Sequence, residues 1–169
     1  ALTAITAILW IPGFYSQEHL TGGPELITPI YNAIFLLLEL SPIASTVLAI
    51  LIVFASAFSL NNILIYHDLA PKNDLLAALL FIVFMSSDPL ILNSYPLIIA
   101  LPLLTWFLHT VYKMNDEPEN YMEVFNASIL ASLISMIYFP SIILFILVWL
   151  ALLIYGTFNG RNLIISFIA

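Results

Sequence analysis

The stretch Ser86-Ser87-Asp88-Pro89-Leu90-Ile91-Leu92-Asn93-Ser94-Tyr95-Pro96 interrupts apolar runs on both of its sides. It holds one acid, Asp88, directly before a proline, and a second proline closes it. Asp followed by Pro is a helix-start pair. The carboxylate accepts from early backbone N–H groups, and proline at the first helical position lacks the N–H that would be left over. The stretch therefore reads as a tight turn joining two helices at one face of a membrane, and it sets the direction of every neighbouring segment.

Composition makes lipid the natural solvent. The chain is 63% hydrophobic and 8% charged, with a mean hydropathy of +1.11, whereas soluble domains carry roughly 25% charged residues. A water-soluble fold needs a polar skin, which 3 Lys+Arg and 10 Asp+Glu in 169 residues cannot supply. The apolar runs are continuous and not alternating, which favours helices over a membrane barrel. A formal charge of −7 argues against nucleic acid and against a polybasic hold on anionic lipid. Without cysteine there are no disulfides or thiolate metal sites.

Outward from the turn, the expected architecture is all-α. It is a polytopic transmembrane helix bundle of about seven membrane helices plus one interfacial amphipathic helix. The apolar runs at 2–12 and 162–169 are too short to span, so residues 1–169 read as one transmembrane domain cut at both ends. Residues 13–40 form an outer loop with an interfacial helix at 30–40. Ser41-Pro42 opens a spanning helix over about 43–66. Asn73 is a plausible cap for a short third helix over 74–85, and a fourth covers 95–112. A single helix over the apolar run 124–155 would overshoot a hydrocarbon core of about 30 Å, so two short helices meeting at Phe139-Pro140-Ser141 fit better. A loop over 156–161 then leads to a helix starting at Asn162.

With these boundaries Lys72, Lys113 and Arg161 fall on one side, which the distribution of basic residues marks as cytoplasmic. The outer loop, the Asp88 turn and the Pro140 turn then face outward, across an inner (plasma) membrane. On that outer side Glu18-His19 could supply a base or a metal ligand, or simply be solvated. Glu25 follows Pro24 at a helix start, where its charge suits the dipole. Asp88 reads first as a cap, and its place at the membrane boundary also allows a functional role. Together Glu18, Glu25 and Asp88 make an acidic face that could hold a divalent cation through oxygen ligands.

On the inner side, His109 and Lys113 stand one turn apart, and Asn61, Asn62 and His67 are placed alike; snorkelling to the interface accounts for them. Ala127, Ala131 and Ser135 recur every fourth residue, as do Ser128 and Ser132, making a close-packing face. Asn126-Ala127-Ser128 matches a glycosylation acceptor, but at a helix start on the inner side. No spanning segment holds the ion pair or acid chain that proton-coupled transporters use, and no Gly-rich phosphate loop, serine elbow or His-Glu metal motif occurs.

This order of parts resembles the membrane module of the GT-C glycosyltransferases, enzymes that use polyprenyl-phosphate-linked sugars. The likeness lies in the acidic first outer loop with its juxtamembrane helix, the short third helix, the outward Asp88 turn, and the pair of segments around Tyr138-Phe139-Pro140. The run 71–158 resembles more closely a family of bacterial multi-pass inner-membrane proteins with no assigned activity. The first resemblance implies Glu18 or Glu25 as the first-loop base and Asp88 as the second acidic loop, often a metal ligand. It also implies a membrane glycosyltransferase with a lipid-linked donor, or an inactive relative. The chain departs from that pattern: there is no Asp-x-Asp pair near Asp88, and His19 is the sole candidate cation on the outer side. The alternative is a non-catalytic subunit that binds lipid and other membrane subunits.

Overall fold

A computed structural model describes residues 42–72, 74–87, 95–115 and 121–169. These residues are helical, with turns between the helices. The elements are α1 (Pro42–Tyr66), α2 (Leu76–Ser87), α3 (Tyr95–Lys113) and α4 (Tyr121–Ile137), then a 3-10 corner (Phe139–Ile143), α5 (Leu144–Ile154) and α6 (Gly160–Ile168). The chain divides into two compact units, Ala1–Pro102 and Leu103–Ala169. Pro102, inside α3, is the last residue of the first unit.

Two of the described helices are long and apolar enough to cross a membrane, over Val47–Tyr66 and Pro96–Lys113. That corrects the expectation of about seven membrane helices. Length is the reason: the remaining apolar helices, Leu76–Ser86, Tyr121–Ile137 and Phe139–Ile154, are shorter. At 1.5 Å per residue, α4 with its 17 residues reaches about 25 Å, less than a hydrocarbon core of about 30 Å. The helix end at 2–12, the outer loop and interfacial helix of 13–40, and the turn at 88–94 lie outside the described residues.

In the first unit, α1 and α2 form a hairpin. Ala57, Ala78 and Ile82 make its buried centre, with Phe54 and Phe81 packed against it. Small residues on both helices let the backbones approach closely, and the two phenyl rings fill the flanks. The α1 end is a Schellman cap: Leu69 N–H donates to the Leu64 carbonyl (2.8 Å) and Asp68 N–H to that of Ile65 (3.1 Å). The motif needs a left-handed residue, and Asp68 takes it with φ 54°. The other helix starts at Leu76, with the Asp74 carboxylate accepting from Leu76 N–H (2.8 Å). The cap is thus supplied by Asp74; Asn73 lies outside the described residues.

In the second unit α4 packs against the 3-10 corner, α5 and α6. Its inward stripe includes Val124, Ala127, Ser128, Ala131 and Ile134, spaced three and four apart as one helix face requires. Ala127, Ser128 and Ala131 are fully buried, so much of the small-residue face expected from sequence is occupied inside the unit. The Ser128 hydroxyl donates to the Val124 carbonyl at 2.8 Å, within its own helix. Val148 and Leu152 of α5 are equally buried. Trp149 Nε1–H donates to Ser166 Oγ (3.1 Å), and its ring lies 5.5 Å from that of Phe167 on α6.

The 3-10 corner places Pro140 within its first turn, after Tyr138 in an extended conformation. A proline there interrupts the backbone ladder and ends α4, as the sequence leads one to expect. After α5 a second Schellman cap uses Gly156 at φ 69°, with Thr157 N–H donating to the Leu152 carbonyl. Helix α6 begins at Gly160, two residues before the expected start at Asn162. The physical reason is that Asn159 is the cap: its side chain accepts from Asn162 N–H at 3.0 Å. Asn162 itself is buried, and its Nδ2 donates to the Thr157 carbonyl at 2.8 Å.

Candidate functional site

The four residues singled out for catalysis or metal binding, Glu18, His19, Glu25 and Asp88, lie outside the described residues. Among the described residues no group of three or more His, Cys, Asp or Glu is placed to hold a metal.

A different site is built inside the second unit, between the last turns of α3 and the first turns of α4. Its polar end is made by His109, Thr110 and Lys113 from α3, with Glu123 and Asn126 from α4. Its other end is apolar, walled by Leu103, Trp106, Ile129, Leu130 and Leu133. The groove encloses about 430 Å³, within the roughly 300–1,000 Å³ of small-molecule sites. Helical spacing produces this gradient. On α3 the groove residues 103, 106, 110 and 113 recur at three and four, as do 123, 126, 130 and 133 on α4. Both helices are apolar towards their middles and polar at the ends nearest each other in sequence.

The groove's charge is set by one ion pair. Lys113 Nζ donates to Glu123 Oε1 at 2.8 Å, with the lysine side chain 42% exposed and the carboxylate 11%. Glu123 lies in the first turn of α4, where the helix dipole favours a negative charge. The lysine caps the last turn of α3 with the complementary sign. The Thr110 hydroxyl is turned onto its own helix, donating to the Trp106 carbonyl at 3.0 Å. Close by at the same α4 terminus, the Arg161 guanidinium lies 3.8 Å over the Tyr121 ring, a cation–π contact. Two cationic side chains, Lys113 and Arg161, therefore converge on the start of α4.

The sequence reading treated Lys113 as a snorkelling cation and assigned Glu123 no role. In the structure Lys113 is paired, and Glu123 is a helical residue with 8% of its surface exposed. Glu123 and Asn126 were missed as groove residues. The usable signal was the acid just before the apolar run of α4, where first-turn acids concentrate. Asn61, also read as a snorkelling residue, is 2% exposed and ties the first hairpin, donating from Nδ2 to the Asp74 carbonyl at 3.0 Å. Asn62 is exposed. Ser128 of the glycosylation match is fully buried.

No family model, curated protein or solved structure matches the chain.

Proposed function

We infer that this chain is a multi-pass module of an inner (plasma) membrane, GT-C-like in architecture, that binds or acts on a polyprenyl-phosphate-linked sugar. The observation that carries the membrane part is where the apolar side chains point. Of the two long helices, 33% and 39% is buried, whereas the core helix of a water-soluble protein is mostly buried. Leu51 and Phe58 on α1, Trp106 on α3, Ile154 on α5 and Phe167 on α6 all face outward. In water such surface would cost about 25 cal/mol per Å², and contiguous patches of it are rare on soluble monomers. Hydrocarbon removes that cost.

Lys113 and Arg161 gather at the start of α4, and the Pro140 corner follows its other end. Under the rule that basic residues stay inside, the first of these ends is cytoplasmic and the corner faces out. Lys72 joins the cytoplasmic set and Asp88 the outer one. The shorter helices α2, α4 and α5 are then partial crossings, or crossings over which the bilayer thins, within the multi-pass bundle. By the GT-C resemblance Glu18 would serve as base, with Glu25 the other candidate, and Asp88 as a metal ligand; the outer-face reading of the sequence adds His19 and Glu25 as the residues that would complete a divalent-cation site.

The test is genetic and chemical. Asp88→Asn and Glu18→Gln variants that still insert and fold should alter a surface glycan and let its lipid-linked donor accumulate. Unchanged glycans and donor pools in both variants would remove the catalytic reading.

A second reading, a non-catalytic subunit of a membrane complex, is favoured by α5. This helix has 11 residues, too short to span, and it turns Ile146, Leu150 and Ile154 outward, a face that a neighbouring helix would cover. Extraction in mild detergent as a lone monomer counts against it.

A further inference from the structure

We propose that the groove between α3 and α4 is a binding site for one zwitterionic phospholipid with a phosphoethanolamine headgroup, taken from the leaflet at the Lys113 end. The proposal rests on the reading that lipid surrounds the helices; it concerns a site distinct from the acids Glu18 and Asp88.

The shape is that of an amphiphile's berth. One end offers His109, Lys113, Glu123 and Asn126, and the other offers Leu103, Trp106, Ile129 and Leu133. A ligand filling it must be polar at one tip and apolar along its body. Its polar tip would lie level with the helix ends and its body alongside the helices, the posture of a membrane lipid.

Charge selects the headgroup. The groove carries one cation and one anion, already within 2.8 Å of each other. A purely anionic headgroup would meet Lys113 but also the Glu123 carboxylate, whose side chain is 11% exposed and so poorly screened. A headgroup with both signs satisfies the pair in register. Its phosphate accepts from Lys113, which has three donors, and its ammonium donates to Glu123 and to the Asn126 side-chain oxygen. A primary ammonium has the N–H donors this requires. A quaternary trimethylammonium of the same charge has none, which predicts discrimination between two lipids of equal net charge.

The experiment uses the whole protein in a mild detergent, with phosphatidylethanolamine, phosphatidylcholine and phosphatidylglycerol of identical acyl chains as probes. Bound lipid is counted by native mass spectrometry. One phosphatidylethanolamine should be retained about tenfold more tightly than either other lipid, the worth of one charge-assisted hydrogen bond. Glu123→Gln should abolish that preference. Leu133→Trp fills the groove from an exposed position, so it should remove the tightly held lipid while leaving the helix content unchanged. Equal retention of the three lipids would overturn the site while leaving the membrane reading intact, because a non-selective lipid annulus would still be present. A protein that carries no lipid and stays monodisperse without detergent would overturn both. Retention of phosphatidylethanolamine in Leu133→Trp, or a polypeptide found in the groove, also rejects the proposal.

Discussion

Replacing Asn61 with aspartate changes two atoms' worth of chemistry and almost no volume, and it should destabilise the first helical hairpin severely. The Asn61 side chain is 2% exposed, and its Nδ2 donates to the Asp74 backbone carbonyl at 3.0 Å, bridging 13 residues of chain. Aspartate presents an acceptor to that acceptor. The bond itself is worth about 1 kcal/mol, and the stranded groups cost about 1–3 kcal/mol more. Burying a carboxylate adds to this, so Asn61→Asp should cost about 3–4 kcal/mol in all. Asn61→Ala loses the bond but brings no repulsion, and should cost about 1–2 kcal/mol, since the half-buried Asp74 carbonyl can still find another partner. Asp74→Ala is an internal control. It removes the cap on Leu76, worth about 1 kcal/mol, but leaves the carbonyl that Asn61 uses. Because the Asn61 amide bonds directly to residue 74, the two losses should couple by about 0.5–3 kcal/mol and not simply add. Equilibrium unfolding in mixed micelles, followed by pulse proteolysis, gives the comparison. If Asn61→Asp unfolds within about 0.5 kcal/mol of the parent protein, the tie contributes nothing and the hairpin is held by Ala57, Ala78 and Ile82 alone.

Other outcomes follow from the same geometry. Lys113→Met should cost more than Glu123→Gln, by about 1–2 kcal/mol, because the first leaves a nearly buried carboxylate without its cation while the second leaves a lysine that can turn to water; equal losses in the same unfolding assay would contradict this. Ala131→Leu should cost about 1–3 kcal/mol by overpacking a fully buried site, whereas Met136→Leu, on the exposed side of α4, should stay within about 0.5 kcal/mol. Asp68→Gly should fold as well as the parent, while Asp68→Val should lose about 1–2 kcal/mol from the left-handed cap. Single cysteines at Lys72 and at Phe139, introduced into a chain that has none, should react with an impermeant thiol reagent from opposite sides of the membrane. Labelling from one side alone would refute the assigned orientation.

The sequence made the helix breaks readable wherever a residue type acts through its own backbone. Pro140 removes a donor and collides with the preceding turn, so the break after Ile137 could be placed to within two residues. Where several residues could play one role, sequence did not choose among them. The last helix was expected to start at Asn162, two residues late, because the start depends on which backbone N–H the Asn159 side chain meets. Asp74, read as the first residue of the third helix, instead accepts from Leu76 N–H ahead of it. The expected number of membrane helices failed for a related reason: hydropathy measures how apolar a run is, but not where the backbone stops being helical. The groove was the least legible feature. Lys113 and Glu123 stand ten residues apart in sequence, and each alone resembles an ordinary charge at a helix end. Only the approach of the α3 and α4 ends turns them into a pair, and apolar periodicity carries no record of that approach.

On the proposed membrane reading, the corner at Phe139–Ile143 would also bear on how the chain enters the bilayer during synthesis. A helix of 11 residues such as α5 covers about 16 Å, too little for an insertion machine to recognise and release as a crossing by itself. On that reading it would remain beside α4 until both leave together as a preformed bracket, with Val148 and Leu152 already shielded. Lengthening the corner with a flexible insert should therefore lower membrane yield during translation, even where the finished protein tolerates it.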